Sequence, residues 1–311
     1  MSGRIHWREQ FGMLLLFVLL FAGLSIFLPN FFTQRNMLGL TLSVSTVGML
    51  ACTMLFCLAS GDFDLSVEAV VAFSGVLAAV VANQTHSVAL GFAVGIAAGG
   101  LVGLINGTLI AKVGINALIV TLGTMQIVRG LGFLVSGGSA VSIVDERFYA
   151  LGMNSMLGLP NPVWITLGCF ILFGILLNST MFGRHTLAIG GNRLSARLAG
   201  VPVAKVKILI FAIQGLVAGF AGVIMASRMT SGQPKSAEGL ALDVISACVL
   251  GGVSLTGGVG TMTGTVVGVL IMGTVQNAMN LMNMPTFYQY VVRGSILLVA
   301  VGIDQLKRPR T

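Results

Sequence analysis

The chain carries only nine acidic residues in 311, and three of them, Asp62, Asp64 and Glu68, crowd into the segment SGDFDLSVE. Two carboxylates two positions apart beside Gly61 can gate a polar path, cap a helix or relay protons. A relay needs a partner base, and His6, His86 and His185 all sit near predicted loops or termini, so gating and capping are the readings that survive. The polar residues that fall inside apolar stretches are largely neutral: Asn106, Thr121, Thr124, Gln126, Gln214, Gln276, Asn277 and Asn280. An ion-coupled carrier would keep carboxylates or histidines there to bind its driving cation. A neutral, hydroxyl-rich solute suits such a lining, and so does plain hydrogen bonding between helices. Phosphate chemistry has no support, because the chain contains neither GxxxxGK[ST] nor any Gly-Lys pair. The four cysteines, Cys52, Cys57, Cys169 and Cys248, lie in apolar segments without metal-ligand spacing and read as small buried hydrophobes.

These groups must be positioned by elements that live in lipid. The chain is 56% hydrophobic and 8% charged, with a mean hydropathy of +0.98, whereas about a quarter of a soluble domain is charged. The expected fold is an all-α integral membrane bundle of about ten transmembrane helices, forming one domain over residues 1–311 with no linker to divide it. Hydropathy places spans near 11–29, 37–60, 65–83, 87–111, 117–136, 162–178, 206–227, 241–256, 261–282 and 287–303. The first is read as a retained helix rather than a signal peptide, since FAGLSIFLP offers no small-x-small cleavage site. An even number of spans puts both termini on one side. With the termini in the cytoplasm, Arg4, Arg8, Lys112, Arg184, Arg193, Arg197, Lys205, Lys207, Lys307, Arg308 and Arg310 lie inside. Only Arg35, Arg147, Arg228 and Lys235 then lie outside, which satisfies the positive-inside rule. Arg129 and Arg293 fall within or at the ends of spans. The net charge of +8 is accounted for by this topology, with no motif for a nucleic-acid partner. A broken or re-entrant element is open at SGDFDLS, where two spans are joined by a few residues.

Glycine recurs every four residues at Gly91, Gly95, Gly99, Gly103 and Gly107, and again at Gly260, Gly264 and Gly268. Such stripes let helices pack closely, either statically or to slide against a neighbour. The glycine-rich LGGVSLTGGVG (250–260) joins two spans and loosely echoes LASGDFDLSVE (58–68), as a structural repeat or by chance.

One stretch does not belong in a bilayer. FGRHTLAIGGNRLSARLAGVPVAKVK (182–207) holds six Lys, Arg or His residues between apolar spans. Gly190, Gly191 and Asn192 read as a turn, and Arg193 to Leu198 as a short helix with Arg193 and Arg197 on one face. From composition alone this is either a helix suited to a groove on a partner or a solvated basic loop.

Over this stretch and the following ILIFAIQGLVAGFAGVIMASR, the chain resembles the permease subunits of bacterial ABC importers for pentoses and related sugars. The resemblance extends to SGDFDLS (60–66), NGTLIAKVGINALIVTLGTMQIVRG (106–130), TSGQP (230–234), VISACVLGGVSLTGGVGTMTGT (244–265) and NAMNLMNMPTFYQYVVRGSILLVAV (277–301), most of the chain. SGDFDLS and SRMTSGQP are most similar to the L-arabinose branch, which makes L-arabinose the expected monosaccharide. The resemblance implies a multi-pass protein of the bacterial inner membrane that is a transport subunit and not an enzyme. It implies a homodimer, an ABC ATPase subunit that uses the ATP and magnesium, and a periplasmic sugar-binding protein, with no cofactor on this chain. It assigns Gly190, Gly191, Asn192, Arg193, Ala196, Arg197 and Gly200 to coupling with the ATPase. Asp62, Asp64, Asn106, Gln126, Gln276, Asn277 and Asn280 are the candidates for the translocation path or its gate. The broader family usually has glycine where Asp62 and Glu68 stand; Asp62 agrees with the L-arabinose branch, and the sequence offers no account of Glu68. The competing reading is an autonomous secondary carrier or channel for a neutral solute. A membrane-embedded enzyme finds no HExxH, GxSxG or paired intramembrane acid.

Overall fold

The computed structural model describes residues 2–306, with side chains of 2–10, 303, 304 and 306 left aside. Of the expected cytoplasmic charges, the side chains of Arg4 and Arg8 and the residues Lys307, Arg308 and Arg310 lie outside what is described, as does the side chain of His6.

The order of helices is α1 (Ser2–Phe27), α2 (Gln34–Ala59), α3 (Val67–Thr85), α4 (Val88–Thr108), α5 (Ala117–Ser136), α6 (Ala150–Met153), α7 (Asn161–Ser179), α8 (Met181–Gly191), α9 (Arg193–Leu198), α10 (Val203–Met229), α11 (Leu240–Leu250), α12 (Met262–Leu281) and α13 (Thr286–Leu306). Among the described residues, seven of these are long and apolar enough to cross a membrane: α2, α3, α4 with its extension to Val113, α5, α7, α10 and α12. Shorter apolar helical stretches run over Phe11–Phe27, Leu240–Leu250 and Thr286–Gly302. The ten hydropathy segments therefore each meet a helix, with one correction. The segment read as a span over 241–256 is helical only to Leu250, and residues 251–261 form an irregular connection.

The core is built around α2, whose apolar window is 89% buried, against 22% for α5 and α7, which present their apolar faces outward as lipid-facing helices do. Helices α7, α10, α11 and α12 surround α2, and α4 packs along both α3 and α10. The four-residue glycine stripe explains that second contact. A Cβ added at Gly95 would lie 2.8 Å from the Ser74 carbonyl oxygen of α3 and one at Gly103 would collide with the Phe211 carbonyl oxygen of α10, so these faces pack with no room for a side chain between the backbones. Gly264 and Gly268 bring α12 against Gly251 and Ala247 in the same way, whereas Gly260 precedes the helix.

Two connections fold back against helix ends. Residues 60–66 run as an irregular, largely buried segment between α2 and α3. The 137–160 segment forms a cover over the other end, where Val141–Ser142 pairs antiparallel with Ser231–Gly232 and Asn83 binds the backbone of Ser142 and Val144. On this exposed cover the Asp145 carboxyl is held below its usual range by hydrogen bonds from Arg147.

Candidate functional site

Helix α9 is bounded by its own sequence. Asn192 is extended and its Oδ1 accepts from the Ser195 N–H at 2.9 Å, capping the start. At the other end the Val201 N–H returns to the Ala196 carbonyl and the Gly200 N–H to the Arg197 carbonyl, with Gly200 at φ +83°, a Schellman turn that favours glycine there. Ala196 is buried against the bundle, so the helix shows the outside Arg193 and Arg197 together with the exposed Leu194 and Leu198. An open cleft of about 530 Å³ beside it is lined by Lys112, Arg193, Arg197 and Lys205.

The turn expected at 190–192 needs correcting. Gly190 and Gly191 complete α8, and only Asn192 leaves the helical conformation. The reason is contact: the Gly190 Cα lies against the Ala59 carbonyl, which also accepts from the Gly258 N–H at 2.9 Å. A Cβ at Gly257 would come within 2.8 Å of both Gly190 Cα and Gly61 N. Glycines of α8, of the α2–α3 connection and of the α11–α12 connection thus converge on one point. The two segments that echo each other in sequence are in direct contact.

A buried ion pair ties the same junction from the other side. Lys207 Nζ, in the second turn of α10, lies 2.7 Å from Asp62 Oδ2, and both side chains are buried. Asp62 therefore has a basic partner, a lysine rather than any of the three histidines, and Lys207 is not part of the solvated basic surface. Asp64 does the capping: its Oδ1 accepts from the Ser66 N–H at 2.9 Å and from the Ser66 hydroxyl at 2.6 Å. Burial pushes the Asp64 carboxyl up to about 6, opposed by those Ser66 hydrogen bonds. The network continues as Asn106 Nδ2 donates to Ser66 Oγ at 2.9 Å and Thr124 donates to Asn106 Oδ1 at 2.7 Å. Asn106 is thereby engaged between helices.

The remaining path candidates are dispersed. Asn277 exchanges hydrogen bonds with Asn36, joining α12 to the start of α2. Asn280 accepts from Gln289 at 3.1 Å. Gln126 is exposed on α5, one turn from Arg129. Gln276 approaches Asp243 on α11.

Charges that the sequence reading set aside are paired inside the bundle. Arg129 Nη2 bonds Glu68 Oε1, and Glu68 Oε2 accepts the Gly239 N–H at 2.9 Å. Arg293 Nη1 lies 3.1 Å from Asp243 Oδ2. Glu68 and Asp243 stand in the first turns of α3 and α11, at points where α5 and α13 are well inside their apolar stretches. Charge signs alone could have flagged the pairs, since Arg129 and Arg293 were the two cations without a place outside the bilayer.

A family profile described as branched-chain amino acid transport system / permease component matches residues 36–301. The chain belongs to that family. As a permease component it is a transport subunit and not an ATPase. It is 60% identical over 306 residues to the L-arabinose transport system permease protein AraH of Escherichia coli (strain K12), covering 98% of this chain and 93% of that one. The L-arabinose ABC transporter permease protein AraH of Azospirillum brasilense is 58% identical over 297 residues, 96% of this chain and 88% of its own. The ribose import permease protein RbsC of Bacillus subtilis (strain 168) is 38% identical over 309 residues, 98% and 96% of the two chains. No solved structure matches.

Proposed function

We propose that this chain is the membrane-spanning subunit of an ATP-driven importer of L-arabinose in the bacterial inner membrane. Identity at the level of the two L-arabinose permeases, over nearly the whole of each chain, supports the sugar. The chain works as one transmembrane domain over residues 1–311, as a homodimer, with both termini and the 182–207 segment in the cytoplasm. Its partners are an ABC ATPase subunit, which binds and hydrolyses ATP with magnesium, and a periplasmic protein that delivers the sugar. Membership in a permease-component family weighs against an autonomous carrier or channel.

The observation that carries the coupling assignment is the junction at α8 and α9. A short helix presents two leucines and two arginines to the outside, and its flanks are wired to both glycine-rich connections through Gly190 and to Asp62 through Lys207. Movement of the ATPase against Arg193, Ala196, Arg197 and their neighbours passes to the ends of α2, α3, α11 and α12, which open the path to one side or the other. Asp62 and Asp64 belong to the inner end of that path.

The test is a single cysteine at Asn192 in a chain whose native cysteines have been replaced, held in sealed membrane vesicles of known orientation that also contain the ATPase. The ATPase should co-purify and shield the cysteine; once it is stripped, a membrane-impermeant thiol reagent should reach the site only from the cytoplasmic face. Labelling from the periplasmic face, or equal labelling with and without a bound ATPase, sinks the assignment.

A further inference from the structure

We propose that the four charges gathered around Gly239 form the point in the path where the sugar's hydroxyl groups are hydrogen-bonded as it crosses; this rests on reading the chain as a monosaccharide importer subunit. Gly239, at φ +80°, places its N–H on Glu68 and its Cα side toward Arg293, whose Nη1 would stand 3.8 Å from an added Cβ. Arg129 completes the Glu68 pair and Asp243 the Arg293 pair, so residues of α3, α5, α11 and α13 meet at one glycine.

Depth and exposure say what this cluster faces. Arg129 lies about 18 Å along α5 and Arg293 about 10 Å along α13, at ~1.5 Å per residue. Both are inside apolar helical stretches, yet their side chains keep 25% and 23% of their surface open. Guanidinium groups at such depth do not face acyl chains; they face protein or a water-filled cavity. In this proposal the open side of Arg129 and Arg293 is the wall of the solute path.

The unsatisfied atoms say what the wall recognises. Asp243 Oδ1, Arg293 Nε and Gln276 Nε2 are buried and have no well-aligned hydrogen bond; Gln276 lies within hydrogen-bonding reach of Asp243, so the two can partner each other until a solute parts them. They offer an acceptor and two donors side by side. A polyol, whose every hydroxyl is both donor and acceptor, matches that set, whereas a hydrocarbon or a lone ion does not. Each charge is already neutralised by its partner, so a neutral sugar is held briefly and released, as a path requires.

The experiment uses the whole complex in proteoliposomes with ATPase and binding protein. In a chain free of native cysteines, a Gln276→Cys variant is exposed to a charged, water-soluble thiol reagent without nucleotide, with ATP, and with hydrolysis trapped. The expected result is modification in at least one state, slowed about threefold by L-arabinose at twice its half-protecting concentration and not by isosmotic betaine. A second variant, Gln276→Ala, should lower L-arabinose uptake about tenfold while the ATPase still co-purifies. A cysteine that stays unmodified in all three states, or is modified without protection by sugar, or unaltered uptake by Gln276→Ala, overturns the site. Absence of uptake by the unaltered complex would instead refute the importer reading itself.

Discussion

At the scale of single residues, the buried pair between Lys207 and Asp62 is the contact whose loss should be felt most. Two desolvated charges hold each other, and removing one strands the other in the bundle at a cost of about 3–5 kcal/mol. Lys207→Met is expected to lower the unfolding temperature in detergent clearly, and Asp62→Asn combined with Lys207→Met to recover most of the loss, because no bare charge remains. If the protein carries the pair to transmit movement, the double variant should still take up less sugar per ATP hydrolysed. An unchanged unfolding temperature for Lys207→Met would show that the pair contributes nothing. The sequence makes Asn192, Gly200 and Asp64 readable, because caps are set by residues two to five positions away. It hides Lys207, Glu68 and Arg129, whose partners lie 145, 61 and 61 positions away along the chain. Only the residual charge balance hinted at them.

At the scale of elements, α9 is the piece whose surface can be altered without disturbing the bundle. Arg193 and Arg197 are exposed and without acidic neighbours in their cleft, so Arg193→Glu with Arg197→Glu should cost little stability. It should abolish ATPase co-purification and uptake together by reversing charge at the docking face. Full retention of both would return the segment to the status of a solvated connector. Gly200→Trp is a poorer probe than its open surroundings suggest, since at φ +83° any side chain strains the turn that ends α9. The boundaries of α9, Arg193 to Leu198 after the break at Asn192, were legible in the sequence. The helical state of Gly190 was not, because glycine at a helix end reads as a turn and only the Ala59 carbonyl across the bundle explains it. For the same reason the apolar run beyond Leu250 was mistaken for helix: Gly251 packs against the backbone of Gly264 and Thr265 there, and local hydropathy is blind to that contact.

At the scale of the whole molecule, the apolar segments were legible nearly end to end, since lipid demands helices and helices of fixed length. What the segments could not convey is that two glycine-rich connections and the α8–α9 pair meet at one place, the junction on which the proposed coupling rests. The central claim is that this motor is required. In proteoliposomes containing the chain, its ATPase partner and the periplasmic sugar-binding protein, accumulation of labelled L-arabinose should need ATP with magnesium and both partners, and a proton or sodium gradient should not replace them. Gradient-driven L-arabinose flux through this chain alone would contradict the account.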